Sequence, residues 1–457
     1  MAQIRENLIP ALEVRPDLIA KESYLSAEIA KLENVNMWQK TWHWACRLEE
    51  IPNVGDFVVH DVVDQSVIVV RTDEDEIRAF HNVCPHRGRR LYSGSGKIAK
   101  FHCIFHAWQW NLDGTNTRVL DIEQWDGCSG MTQEELGLAR VHVADWAGFV
   151  FINMSENPEP FEEFLGDAAE ALAPLGMDKM RYCWRFLIDV ESNWKVAQEA
   201  FMESYHVWGT HPQFMQVIDE KNQSEAKGKH GRHFYAHEIP VGTPSRRLNK
   251  PPMPPEAMGE AFVGFIETLA EQTGNKEGEG QLTARSVKAA REAFERLPKG
   301  APVEEVIGAA IMAMKAAADA EGAYFPLMTP EEQARMGEDW NIFPNLSIVP
   351  SFDGTLIFRA LPRRDNNPNQ CTIEMIGLLT YGPGKEPGAE RIHLDNWREQ
   401  ARGQVPPLLI QDLMNMEDVQ RGMQSIGLKA VRPNPVQEVQ VSHFHEVLAE
   451  YIKAGSN

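Results

Sequence analysis

Between Cys84 and His106 the chain places two thiols and two imidazoles in paired units, Cys84-Pro85-His86-Arg87-Gly88 and Cys103-Ile104-Phe105-His106. Such C-x-H and C-x-x-H units are a metal-ligand set. Two centres fit it. A structural zinc accepts any four-ligand mixture of Cys and His. A 2Fe-2S cluster with two His replacing two Cys on one iron is the other, and that replacement raises the reduction potential over an all-Cys cluster. Each half supplies one Cys and then one His in the same order, which suits two irons, one holding both Cys and the other both His. Pro85 and Gly88 suit tight ligand loops, one by fixing its backbone and the other by admitting conformations closed to other residues. Trp108 and Trp110 follow directly, either to shield the centre from water or as ordinary core aromatics.

A second constellation runs from Asn193-Trp194-Lys195 through Glu199, Glu203 and His206 to Thr210-His211-Pro212. On one helix spanning Glu191 to His211, Glu199, Glu203 and His206 would share a face, because spacings of four and three both return close to a full turn. His206 and His211 diverge on an ideal helix, and Gly209 offers a break that swings His211 back. Two His and one carboxylate on one side of an iron make the facial triad of non-haem Fe(II) oxygenases, with open positions for oxygen and substrate. Glu203 is the nearest acid. A distant candidate is Asp412, at the edge of the apolar stripe Ile410, Leu413, Met416 and Met423 of a late helix, where an acid is costly to bury without a cation or metal. Glu417 and Asp418 are its rivals, and Glu199 reads as structural.

The cluster unit resembles the Rieske motif, and Asn193 to Pro212 together with Gln411 to Gly422 is similar to the iron-binding segments of the Rieske non-haem iron oxygenases, catalytic α subunit. By this resemblance Cys84, His86, Cys103 and His106 hold a Rieske 2Fe-2S cluster, and His206, His211 and Asp412 hold a mononuclear Fe(II). Glu203 takes the place of the acid that links this iron to a cluster His of a neighbouring subunit, a position often Asp. Ala200 stands where many members have Asn. The implied activity is that of a terminal oxygenase, using O2 and electrons from NAD(P)H to hydroxylate an aromatic or other hydrophobic ring by mono- or dioxygenation. The implied assembly is a homotrimer, with or without small β subunits.

The elements that must position these residues fall into an α+β pattern. Residues 1–37 read as an N-terminal helical segment with Leu25, Ile29 and Leu32 on one stripe, packing with the catalytic domain. Residues 38–155 read as an all-β Rieske domain, with strands at Phe57 to Val59, Val67 to Val70, Ile77 to Phe80 and Phe149 to Ile152 separated by acidic or Asp-Gly turns. Asn157-Pro158-Glu159-Pro160 marks a boundary. Residues 156–457 form the catalytic domain, in which an antiparallel sheet flanked by helices gives a helix-grip-like layout. A helix is expected over Phe161 to Leu175, strands at Phe186 to Val190, Leu346 to Val349, Thr355 to Ala360 and Thr372 to Thr380, and late helices over 407–426 and 442–453. Residues 241–330 read as an insertion with Pro pairs, a Gly-rich stretch over 274–280 and Ala-rich helices near 284–296 and 304–320, either a lid or a surface elaboration.

Composition narrows the function classes. The 457 residues exceed what one core usually serves, favouring two domains. A net charge of -21 argues against general affinity for nucleic acid. No apolar run approaches the roughly 18 residues a membrane helix needs, and the first residues mix charges, so no membrane association and a cytoplasmic location are expected. Cys46, Cys128, Cys183 and Cys371 are scattered and read as reduced thiols. Gly94-Ser95-Gly96 opens no dinucleotide-binding unit, so a separate reductase, with or without a ferredoxin, is expected to deliver electrons. Arg87, Arg89, Arg90, Lys97 and Lys100 would steer such an acidic partner to the cluster loops. The rival readings are a Rieske-type electron carrier and a zinc-stabilised binding protein. Phe201, Met202, Met215, Phe343 and Leu346 are apolar candidates for a substrate pocket.

Overall fold

The computed structural model describes residues 12–235, 241–251, 253–275 and 279–454. Residues 1–11 of the N-terminal segment, Pro252 of the first Pro pair and residues 276–278 of the Gly-rich stretch lie outside them. The chain divides into two compact units, one of Leu32–Phe164 with Arg364–Asn366 and the other of the remainder.

The first unit is built on a seven-stranded antiparallel sheet in the order Ser95–Lys97, Asp56–Val62, Gln65–Asp73, Glu76–His81, Arg140–Trp146, Phe149–Asn153, His43–Arg47. The inner strand Gln65–Asp73 carries Val67-Ile68-Val69-Val70, all fully buried, so both faces are covered there. Alternation sorts them: Val67 and Val69 join Val58, Ala79, Val141 and Val150, while Ile68 and Val70 join Phe80, Phe101, Trp110 and both cluster cysteines. The second core is therefore the floor on which the metal loops stand. At about 1.5–3 kcal/mol for each buried aliphatic or aromatic side chain, that floor is stiff. A small sheet of Phe101–His102, Gln109–Trp110 and Asn116–Arg118 holds the second loop from both sides.

The second unit holds an eight-stranded sheet in the order Asn222–Lys227, His230–Tyr235, Asp339–Ile342, Leu346–Pro350, Gly354–Pro362, Cys371–Thr380, Met180–Val190, Arg391–Leu394. Every pairing is antiparallel except the last. Its centre is clamped by a buried ion triad across three strands: Glu374 accepts from Arg185 Nε at 2.6 Å and from Arg359 Nη2 at 2.5 Å. The helix Trp194–Glu199 packs on strands Gly354–Pro362 and Cys371–Thr380, and late helices span Pro407–Met423 and Val439–Ala454. Mixed helices and antiparallel sheets make the chain α+β, as expected.

Three expected helices are cut short. The N-terminal one is broken at Ser26 into Glu22–Leu25 and Ala27–Glu33, followed by a wide turn over Asn34–Trp38. Phe161 to Leu175 is interrupted by Gly166, whose positive φ of 47° ends Phe161–Leu165 before Asp167–Leu172 starts. The third break, within Glu191 to His211, shapes the site described below. Within residues 241–330 the helices Pro255–Thr273, Ala284–Arg296 and Val303–Glu321 fold around their own core of Phe262, Val263, Ile266, Ala290, Val306, Ala310 and Met314. Buried Asp353 ties it to the sheet by accepting from Thr283 Oγ1 and Ser286 Oγ at 2.5 and 2.6 Å. Among the described residues no helix is long and apolar enough to cross a membrane.

Candidate metal centres

The two cysteine loops have one geometry. In the first, the Gly88 N–H donates to the Cys84 carbonyl and the Cys84 N–H to the Arg89 carbonyl. In the second, the Ala107 N–H donates to the Cys103 carbonyl and the Cys103 N–H to the Trp108 carbonyl. Each loop closes through a residue of positive φ, Gly88 at 72° and Ala107 at 59°. Glycine adopts this freely, whereas a side chain there is strained, and the Cys103 loop holds its alanine so at a cost of order 1–3 kcal/mol. Both cysteines are buried, and the rings of His86 and His106 lie 4.5 Å apart. Trp108 stacks on His86 at 4.8 Å with ring planes 9° apart, while Trp110 is fully buried and donates its indole N–H to the Leu136 carbonyl. One tryptophan thus covers a ligand ring, and the other is core.

The four side chains stand in like pairs, Cys84 beside Cys103 and His86 beside His106. Among the described residues only His206, His211 and Asp412 bring three potential ligand atoms within 4.8 Å of one another. Two Cys paired with each other and two His paired with each other suit a two-iron cluster, one iron to each pair. At the tip of the loops Ile104 and Phe105 are 69% and 52% exposed, with the Arg87 guanidinium 5.5 Å from the Phe105 ring. Arg90 is paired with Asp61 and Lys97 with Asp56, so the expected basic cluster is partly neutralised on the unit itself.

In the second unit the helix opened by Asn193, whose side chain accepts from the Lys195 N–H, ends at Glu199. A non-helical stretch follows, and the chain re-enters one helical turn, Val207–Thr210, with His206 before it and His211 after it. The single helix expected over Glu191 to His211 is thus corrected, and with it the shared face of Glu199, Glu203 and His206. Glu199 accepts from Tyr24 Oη at 3.0 Å and from His445 Nε2 at 2.7 Å rather than stacking with His206 along one helix. The break lies before His206, not at Gly209. Glu203 accepts from the His206 backbone N–H at 2.9 Å and lies 2.8 Å from His206 Nδ1.

The two imidazoles are oriented alike. Nδ1 of His206 is taken by Glu203, and Nδ1 of His211 by Gln411 Oε1 at 2.8 Å. Both Nε2 atoms are left facing Asp412 Oδ1, at 3.7 Å from His206 and 3.0 Å from His211. A buried carboxylate and two Nε2 atoms, each Nδ1 tied to an acceptor, are what a facial metal triad requires. Burial opposes a charge on His206, but Glu203 and then Asp412 overcome it and lift the imidazole to about 9. Glu203 is held below its usual range, since His206 outweighs the burial that acts against the carboxylate. The rivals of Asp412 are engaged elsewhere: Glu417 accepts from Trp397 Nε1 and Arg398, and exposed Asp418 pairs with Arg421.

A cavity of about 280 Å³ opens onto His206 and Asp412, lined also by Glu199, Glu203, Met416 and Glu438. Beside His211 lies an apolar cluster of Val207, Phe214, Met215, Leu248, Leu269 and Leu408. Of the candidate pocket residues, Met215 joins that cluster and buried Phe201 stacks on Phe358 at 3.7 Å. Buried Met202 and Leu346 are not part of the cluster, and Phe343 packs against Phe444 and Tyr451 of the last helix. Gln411 and Gln213 escaped the sequence reading, because an amide beside a ligand carries no distinguishing composition.

Residues 177–454 match the catalytic domain of the ring-hydroxylating alpha subunits, and residues 41–125 match the Rieske [2Fe-2S] domain. The chain belongs to the Rieske non-haem iron oxygenases. Members carry both a 2Fe-2S cluster and a mononuclear iron, and the donor sets above fit both groups. The chain is 32% identical over 201 residues to the carnitine monooxygenase oxygenase subunit of Acinetobacter pittii, a match over 43% of this chain and 53% of that protein. It is 31% identical over 224 residues to the anthranilate 1,2-dioxygenase large subunit of Acinetobacter baylyi, over 46% of each. The matched stretch thus spans about half the length of these curated relatives. The crystal structure of the quaternary ammonium Rieske monooxygenase CntA with L-carnitine superposes with a TM-score of 0.62 at 20% identity, covering 96% of this chain and 97% of that one.

Proposed function

We propose that this Rieske oxygenase hydroxylates an organic substrate at an iron held by His206, His211 and Asp412, drawing electrons through a cluster held by Cys84, His86, Cys103 and His106. The observation that carries this reading is the convergence of both Nε2 atoms on buried Asp412. When bound, the cluster supplies single electrons and the iron activates oxygen. The chain's own residues then have distinct tasks. Glu203 and Gln411 hold the imidazoles with Nε2 presented inward. The cluster Val207, Phe214, Met215 and Leu248 excludes water on the His211 side and offers an apolar wall to a substrate. In our reading that wall favours an aromatic or other hydrophobic ring.

A second substrate class is favoured by the likeness to carnitine monooxygenase, whose name points to a quaternary ammonium compound and a single hydroxylation. Product analysis on a panel of carnitine, glycine betaine, anthranilate and naphthalene separates the two classes. Electrons come, in this proposal, from NAD(P)H through a separate reductase or ferredoxin docking at Ile104, Phe105 and Arg87. Glu203 bridges His206 to His86 or His106 of a neighbouring subunit, which calls for a homotrimer, with or without β subunits. Metal and sulfide analysis tests the core of the proposal: about three irons and two sulfides per chain are expected. Two irons would leave an electron carrier, and zinc without sulfide a zinc-stabilised protein.

A further inference from the structure

We infer that the inserted helical layer is a working part of the iron site, its Gln272 acting through Gln213 and Gln411 to set the tautomer of His211; this rests on the reading of His211 as an iron ligand. The argument follows hydrogen-bond polarity. A neutral imidazole has one N–H and one lone pair, and a metal at Nε2 requires the proton on Nδ1. His211 Nδ1 lies 2.8 Å from Gln411 Oε1, an oxygen that can only accept, so the proton belongs there. That amide is itself oriented, because Gln213 Nε2 donates to the same Gln411 Oε1 at 2.9 Å. The Gln213 amide has a second hydrogen, directed at Gln272 Oε1 at 3.4 Å. Without the Gln213 donor, itself held by the Gln272 acceptor, the Gln411 amide is free to turn over and present its NH2 to His211. The proton would then move to Nε2 and block the metal position.

Gln272 lies on the insertion helix Pro255–Thr273. Leu269 lies one turn earlier on the same face and packs against the Val207, Phe214 and Met215 cluster beside His211. The helix also packs on Pro407–Met423, which carries Gln411 and Asp412. A polar and an apolar contact from one helix face thus reach the same metal loop, a connection that a mere surface elaboration would not need. Gln411, Gln213 and Gln272 are positioning residues, each acting through His211.

Fe(II) affinity, measured on cluster-loaded protein by competition with a coloured chelator, tests the inference, with the visible spectrum of the cluster as the control for folding. Gln411→Leu should bind Fe(II) about 10- to 100-fold more weakly, the usual cost of losing an outer-shell partner. Gln411→Glu keeps an acceptor and should retain wild-type affinity or better. Gln213→Leu and Gln272→Leu should weaken binding in that order, and Gln411→Leu combined with Gln213→Leu should be no weaker than Gln411→Leu alone, because both break one path. Wild-type affinity in Gln411→Leu, or equal loss in Gln411→Glu, overturns the tautomer argument. Wild-type affinity in Gln272→Leu removes the insertion from it. His211→Ala is the separate control: undiminished Fe(II) binding there would refute the ligand assignment itself.

Discussion

Replacing Glu203 by Gln changes no more than one oxygen to an amide nitrogen, yet the surroundings make it a severe perturbation. Both carboxylate oxygens face His206, Oε2 accepting from the backbone N–H at 2.9 Å and Oε1 lying 2.8 Å from Nδ1. A glutamine has one acceptor oxygen, so its NH2 must confront the other N–H. The loss of charge assistance, about 1 kcal/mol, adds to about 1–3 kcal/mol for a buried donor left unpaired. Together these weaken the oriented state of His206 by about 2–4 kcal/mol. At 1.4 kcal/mol per decade this predicts about 30- to 700-fold weaker Fe(II) binding. The assay is chelator competition, followed by single turnover at saturating Fe(II) from a prereduced cluster. If Glu203 has the bridging role proposed for it, electron delivery should remain slow even when iron is fully loaded, because the bridge has lost its charge. Wild-type affinity together with wild-type single-turnover rate would show that Glu203 neither orients His206 nor carries electrons.

The other expectations concern the remaining parts of the molecule. Asp412→Ala should lose the mononuclear iron and keep the visible spectrum of the cluster; iron retained on metal analysis would mean that another acid completes the triad. Cys103→Ser should do the reverse, losing cluster absorbance while chelator competition still finds the mononuclear site. Glu374→Leu leaves Arg185 and Arg359 buried without their counter-ion and should destabilise the protein by about 3–5 kcal/mol in denaturant unfolding. Burial opposes the Glu374 charge, but Arg185 and Arg359 outweigh it and hold the carboxyl far below its usual range. Its contribution is therefore present above the unfolded carboxylate value and lost as pH falls through the folded one, so Tm in acid should fall more for wild type than for Glu374→Leu.

The parts of this molecule that the sequence disclosed are those where chemistry itself restricts residue choice. Cys84, His86, Cys103 and His106 stand out because few other side chains can hold a metal, whereas Asp412 was one of several candidate acids until the family resemblance singled it out. Strands such as Gln65–Asp73 were legible from their aliphatic run. The histidine loop was misread as one helix because nothing between Glu199 and His206 forbids helix locally. Its start, expected at Glu191, falls later, where Asn193 caps it, and its end is set by tertiary demands: Glu199 is drawn to Tyr24 and His445, and Glu203 folds back onto His206. Intrinsic helix preferences span well under 1 kcal/mol for ordinary residues, and one buried charged hydrogen bond exceeds that. The break is thus an outcome of the site, since an unbroken helix would carry His206 and His211 apart. The glutamine relay was hidden for a related reason. An amide has no preferred partner in sequence, and only the fold brings Gln411 to the His211 imidazole with Gln213 and Gln272 in line behind it. It follows that candidate metal-binding residues can be read in advance, whereas residues placed to aim them become visible only once the chain has folded around them.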